Sequence, residues 1–222
     1  MAERTLSHFA LLRFRETYWE LNEPDREHVF ASWWDALADT AQRRYLYQVF
    51  PARADADLLL WSALPAASQS AVADFFLTFS RAFAPWRRYI EVTLTLWGLT
   101  KPSIYSRGKS PQEIDPFTPE RKKYLVVYPF VKTADWYLLS RDTRQGMMNE
   151  HIRVGHQYPE IKQLLLYSFG LQDQEFVVVY EMEDIAQFSD LVQDLRSTEA
   201  RRFTLRDTPI ITAIYTPREA SS

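Results

Sequence analysis

Apolar and polar positions fall in blocks along the chain, and the period of each block predicts an element. Residues 8–19 (HFALLRFRETYW) are dense in aromatic and apolar side chains and read as a strand. Between 24 and 37, Val29, Trp33 and Leu37 recur every four residues, on one face of a helix. Strands are expected at 44–50 and 57–64, with the turn PARADAD between them. A second amphipathic helix covers 68–83, its stripe formed by Val72, Phe75, Phe76 and Phe79. A strand at 88–99 completes the order β-α-β-β-α-β.

Residues 101–123 break this pattern with prolines and charges, and they read as a long connecting loop. Beyond it the order repeats. Strands are expected at 124–130, 163–169, 175–181 and 209–215, and helices at 142–156 and 185–195. Short matches support a repeat. Phe9-Ala-Leu-Leu lies 115 residues before Tyr124-Leu-Val-Val, Arg87-Arg88-Tyr89 lies 114 before Arg201-Arg202-Phe203, and Asp57-Leu-Leu-Leu lies 118 before Glu175-Phe-Val-Val. The expected fold class is α+β: two ferredoxin-like halves, 1–100 and 124–222, with antiparallel sheets and helices outside. A pocket between such a sheet and its helices suits a planar ligand.

Composition narrows the chemistry. A net charge of −3 gives no electrostatic footprint for nucleic acid. The absence of cysteine removes disulfides, thiolate nucleophiles, iron–sulfur clusters and thiolate-ligated or covalently attached haem. Residues 1–14 are interrupted by Glu3, Arg4, His8 and Arg13, unlike a signal peptide. No run of 18 apolar residues occurs, so no membrane span is expected, and a cytoplasmic location fits. With only 5 glycines, no Gly-rich phosphate cradle is visible. There is no G-x-S-x-G element, and Asp55 and Asp57 read as a solvated turn. Trp33-Trp34 and Trp136-Tyr137 suit a core, with redox relays as the alternative.

Four histidines remain. His8 and His28 read as surface or capping residues, and His156 as a helix-end residue suited to the dipole. His151 differs. On a helix opened by Asp142 and Gln145, it lies three or four residues from Met147, Met148, Ile152 and Gly155. It is expected on that apolar stripe rather than with Arg144, Asn149 and Arg153. An imidazole there is either a core histidine bonded to a carbonyl or carboxylate, or a ligand to a metal or haem iron. His151 and His156 are five apart, about 140° around a helix, which excludes the zinc pair that needs one face.

The ordered set Tyr128-Pro-Phe-Val-Lys132, Trp136-Tyr137, Met148-Asn-Glu-His151-Ile-Arg-Val-Gly155-His-Gln-Tyr158-Pro and Tyr167-Ser-Phe-Gly170-Leu-Gln-Asp-Gln-Glu-Phe176 resembles the chlorite dismutase-like superfamily of haem proteins. The motifs cover 124–215; residues 1–100 agree in architecture. The resemblance implies a dimeric α+β barrel of tandem ferredoxin-like repeats, haem in the second half, and a ring-shaped homo-oligomer, commonly a pentamer. It implies an iron porphyrin, haem b or coproheme, as cofactor, and hydrogen peroxide or another small oxidant as partner.

His151, in an E-H-x-x-x-G context, is implied as the proximal iron ligand, with Trp136 and Met148 beside the cofactor. Glu181 is one candidate for the carboxylate behind the imidazole. Seven residues before the Gly170-Leu-Gln-Asp173 turn stands Gln163, the implied distal residue. The spacing from His151 is one residue short of the family's, so Lys162 and Leu164 are its alternatives. None is the arginine of chlorite dismutases. Tyr128 and Lys132 match the Tyr and Lys of coproheme decarboxylases, which makes peroxide-dependent coproheme decarboxylation the implied activity. Chlorite dismutase, slow peroxidase, and non-catalytic haem carrier or sensor are the alternatives. One departure is Pro116, where the decarboxylases carry a propionate-binding arginine; Arg121, Lys122, Lys123, Arg107 and Lys109 are candidates to replace it. Another is the ending Arg206-Asp-Thr-Pro209, where Gram-positive enzymes are Gly-rich.

Overall fold

The computed structural model describes residues 4–105 and 110–217. Its first part runs β1 (Thr5–Phe14), α1 (Glu16–Trp19), α2 (Glu23–Ala36), β2 (Arg43–Gln48), β3 (Leu58–Pro65), α3 (Ala71–Phe83) and β4 (Ile90–Leu99). β1 pairs antiparallel with β4 on one side and β3 on the other, and β2 flanks β3. The spatial order is β4-β1-β3-β2.

The expected first strand ran to residue 19, but the chain leaves the sheet after Phe14. Phe14 N donates to the Asp57 carboxylate at 2.7 Å, and Tyr18 then stacks on the Phe14 ring at 4.1 Å. That stacking needs the chain to turn back, and residues 16–19 form one helical turn. Aromatic density alone does not separate the two outcomes.

Helix α2 starts where Asn22 accepts a hydrogen bond from Asp25 N at 3.0 Å, with Pro24 in the first turn. It buries Val29, Phe30, Trp33 and Trp34. Phe30, Trp33 and Trp34 pack with Phe75, Phe79 and Phe83 of α3 and Leu6, Ala10 and Leu12 of β1. Each such side chain contributes on the order of 2–3 kcal/mol by leaving water.

His8 corrects its expectation. It sits within β1, 3% exposed, among the rings of Phe75, Phe76 and Phe79 at 5.2 to 5.8 Å. Burial pushes its pKa down to about 4. His28 is exposed on α2, as expected.

The second part runs β5 (Tyr124–Lys132), α4 (Ala134–Leu138), α5 (Arg141–Gly155), β6 (Lys162–Tyr167), β7 (Phe176–Met182), α6 (Ile185–Arg196), a 3-10 turn (Glu199–Phe203), β8 (Thr204–Arg206) and β9 (Ile211–Tyr215). β5 pairs antiparallel with β7 and β8, and β6 pairs with β7. The order β8-β5-β7-β6 repeats that of the first sheet.

The expected last strand, 209–215, is β9, which starts beyond Pro209, a residue with no N–H to give a ladder; the short strand β8 before it was not expected. Tyr215 and Ile214 pair with Tyr47 and Gln48 of β2. Accordingly the chain forms two compact units, one of residues up to Leu99 with those from Ala213 on, the other Thr100 to Thr212. The connecting loop belongs to the second unit. Among the described residues no helix is long and apolar enough to cross a membrane.

Candidate functional site

Directly opposed residues in an antiparallel sheet share a face. In the second unit that rule groups Tyr128 with Val178 and Leu165, Phe130 with Phe176 and Tyr167, and Gln163 with Tyr180 and Val126. Phe188 and Leu191 of α6 pack on part of this face, around Tyr180. The rest stays open: Leu165 is 42% exposed, and Tyr128, Phe130 and Phe176 are half-buried.

Helix α5 makes its main contacts with α6 and the Glu199–Phe203 turn rather than with this sheet face. Ser140, rather than Asp142, caps it, accepting from Thr143 N at 3.1 Å. The helix has no buried residue, and its neighbours are α6 and the Glu199–Phe203 turn. Met147, Met148, His151 and Ile152 form a half-buried stripe. Two half-covered apolar surfaces therefore bound a cleft, where a finished core would have merged them.

His151 lies in that stripe. Burial, and then the nearby Lys132 charge, hold its pKa down to about 4, with Glu150 opposing. The ring is neutral at ordinary pH, as a ligand must be. Glu150 accepts a hydrogen bond from Glu199 N at 3.0 Å, tying α5 to the 3-10 turn. Glu181 is not behind the imidazole. It faces away from the cleft, buried, with its carboxylate 3.5 Å from Arg121.

Lys132 follows a bulge at the end of β5. Its ammonium donates to Ala200 O at 3.2 Å and lies 4.2 Å from the Trp136 ring centroid. Burial and Arg201 lower its pKa to about 8, against Glu175. Glu175 also accepts from Lys132 N at 2.9 Å and from the Tyr137 hydroxyl at 2.5 Å. Trp136 is 3% exposed and packs on Phe203, so it backs Lys132 instead of lining the cleft. The Tyr128 hydroxyl is bonded to Tyr180; burial, then that contact, raise its pKa well above the usual phenol value.

The register separates the three distal alternatives. Leu164 is buried on the far face, and Lys162 opposes Glu181 there. Gln163 alone is on the cleft side. Its backbone is pinned by the connecting loop: Gln163 N donates to Gln112 O at 2.7 Å, and Ile114 N to Gln163 O at 3.0 Å. The Gln112 amide also donates to Gly155 O, Tyr158 O and Ile161 O at 3.3, 2.9 and 3.1 Å. One loop residue thus fixes the end of α5 and the start of β6 together. Nothing in the sequence announced it, since its side-chain amide reaches partners 43 to 49 positions away.

The proposed replacements for the missing loop arginine fare differently. Arg121 is committed to Glu181 and to Asp115 O at 2.8 Å, on the far face. Lys122 borders the same polar cavity of about 310 Å³, which lacks apolar walls for a tetrapyrrole. Lys123 reaches over the Tyr124 ring. Arg107 and Lys109 lie outside the described residues. The Gly170 turn has φ +67°, the left-handed conformation that favours glycine.

The expectation for Arg144 also changes. Seven residues before His151 is nearly two whole turns, so both point the same way. Arg144 is half-buried beside Tyr137, not on the solvent face.

The repeated sheet order defines a two-repeat α+β protein, and its second repeat leaves an aromatic sheet face partly open and carries a neutral imidazole on α5. Comparison with known proteins makes this specific. The chlorite dismutase family model matches residues 25–216, and the chain belongs to that family. Coproheme decarboxylase of Mycolicibacterium smegmatis is 32% identical over 171 residues, 76% of this chain and 71% of that protein. Coproheme decarboxylase of Staphylococcus carnosus is 29% identical over 160 residues, 65% of this chain and 62% of that protein. A crystal structure of a chlorite dismutase variant from Candidatus Nitrospira defluvii shares the fold, with TM-score 0.81 and 21% identity over 96% of this chain and 92% of that one.

Proposed function

We propose that the chain is a haem-dependent enzyme that binds ferric coproheme in the α5 cleft and, with hydrogen peroxide, converts it to haem b by decarboxylating two propionate arms. The observation that carries this reading is the neutral His151 imidazole near Lys132, at the end of the strand that bears Tyr128. The donor set fits. Among the described residues no three His, Asp or Glu side chains converge on a metal. A lone imidazole suits an iron that arrives with its other donors in a porphyrin ring. The likeness to coproheme decarboxylases supports the same substrate.

Bound there, the iron porphyrin supplies the oxidising chemistry. Each propionate carboxylate arm would give up carbon dioxide, one proton and two electrons, leaving a vinyl group; the two electrons, that proton and one more from solvent would reduce one hydrogen peroxide to two waters. The chain's residues place and protonate. Tyr128 keeps its phenolic proton in the bond to Tyr180 until it is oxidised. Lys132, steered by Ala200 O and the Trp136 face, orients a carboxylate. A pKa near 8 lets it exchange a proton at neutral pH. Gln163 offers a neutral amide from the sheet side, and the Met147–Ile152 stripe excludes water.

The test is to add hydrogen peroxide stepwise to the coproheme complex and follow product mass. Loss of two carbon dioxide units is expected in the wild type, and Tyr128→Phe is expected to bind coproheme without losing either. Oxygen released from chlorite at comparable rate would assign the protein to chlorite decomposition instead. A Soret band without turnover would make it a carrier. Sedimentation of the loaded protein checks the expected homo-oligomer.

A further inference from the structure

Arg144 is used by neither the fold nor the proposed chemistry. It lies in the first half of α5 (Arg141–Gly155) and is half-buried. Its Nε is enclosed by protein and bonds to no acceptor. No carboxylate pairs with it among the described residues. The contrast with Arg121 is direct. That guanidinium, 2% exposed, has Glu181, Asp115 O and the Thr118 hydroxyl around it. Enclosing even one guanidinium N–H without a partner is costly, and native chains seldom do so without a reason.

The obvious internal partners are already engaged. The Tyr137 hydroxyl beside Arg144 donates to Glu175 at 2.5 Å, and the same Glu175 oxygen takes Lys132 N. Arg144 and His151 are seven residues apart, about 20° short of two turns and roughly 10 Å along the axis. Lys132 sits beside His151. A cation from the end of β5 thus lies near the imidazole, and another stands on α5 two turns from it.

We propose that Arg144 is a carboxylate-binding residue that takes one acidic arm of the ligand and sets a preference for porphyrins with carboxylates on separated edges. This rests on the functional reading above, in which His151 holds the centre of the ring. A planar ligand so held presents its rim to both cations. A guanidinium fork receives a carboxylate in two parallel bonds, which a surface lysine does not.

The experiment compares wild type, Arg144→Met and Arg144→Lys. Each is titrated with ferric coproheme and with ferric coproporphyrin tetramethyl ester, and each apo protein is melted. Arg144→Met is expected to weaken coproheme roughly ten- to a hundredfold and leave the ester unchanged. Arg144→Lys is expected to fall between. The apo melting temperature of Arg144→Met is expected to hold or rise, because an unpaired charge has been removed. Equal weakening for both ligands would mean a packing role and would overturn the proposal, as would no change for either. Wild type that binds neither ligand would defeat the functional reading and this proposal together. Wild-type binding with an unaffected Arg144→Met defeats this proposal alone.

Discussion

Helices α2 and α5 occupy the same place in the two repeats and are nearly the same length, yet they meet their own sheets differently. Helix α2 buries Val29, Phe30, Trp33 and Trp34. Helix α5 leaves every one of its side chains at least partly exposed and is held by Ser140 at the start, Glu150 to the 3-10 turn, and Gln112 at the close. In the first repeat aromatic side chains fill the space between helix and sheet. In the second, methionine, histidine and arginine face an uncovered apolar surface. The same topology is thus used once as a core and once as a site, and the side chains under one helix decide which.

The contrast is most exposed at Trp33. Trp33→Ala is expected to cost about 3–5 kcal/mol in urea unfolding, because a fully buried indole leaves a cavity. Met148→Ala, on the matching helix, is expected to change apo stability by no more than about 0.5 kcal/mol. Comparable losses at both positions would erase the distinction.

The two histidines sharpen it. His8 is held neutral by burial in the first unit, with its pKa lowered to about 4. The unfolded imidazole takes a proton below about 6.5. Stability from this site is therefore full above 6.5 and is lost as pH falls from there toward 4, by roughly 3 kcal/mol. His8→Leu is expected to match wild type near pH 7.5 and exceed it at pH 5 in urea melts. Parallel pH profiles would show that the imidazole is not buried as described.

The smallest effect belongs to the tie at the end of α5. Gln112→Met keeps the shape and removes the donors, and is expected to cost about 1–2 kcal/mol. Amide exchange at Tyr158 and Ile161 in the apo protein should quicken, while β1 amides stay protected. Unchanged exchange at those two amides would show that the Gln112 bonds do not hold the helix.

Much of this contrast was legible in residues with local periodicity. Val29, Trp33, Phe75 and Phe79 announced their helix faces, and the strands of both repeats other than β8 emerged within a few residues. Local signals also misled. The run at 16–19 reads equally as strand or helix until Tyr18 is seen stacking on Phe14. Helix α4, only Ala134–Leu138, is too short to show a period. At the site, Tyr128, Lys132 and His151 stood out through a family resemblance, whereas Trp136 turned out to be backing and Glu181 to face away. Gln112, Glu175 and the Arg121–Glu181 pair were invisible because they act across tens of residues. Arg144 was misplaced by counting it with its neighbours rather than by turns.

The central claim is that the imidazole of residue 151 is the chain's bond to iron. Titrating apo protein with ferric coproheme while recording Soret absorption and electron paramagnetic resonance tests it in wild type and His151→Ala. The account predicts one equivalent bound with an axial nitrogen signature in wild type, and loss of that signature in His151→Ala, restored by added imidazole. Superimposable spectra from the two proteins would contradict it.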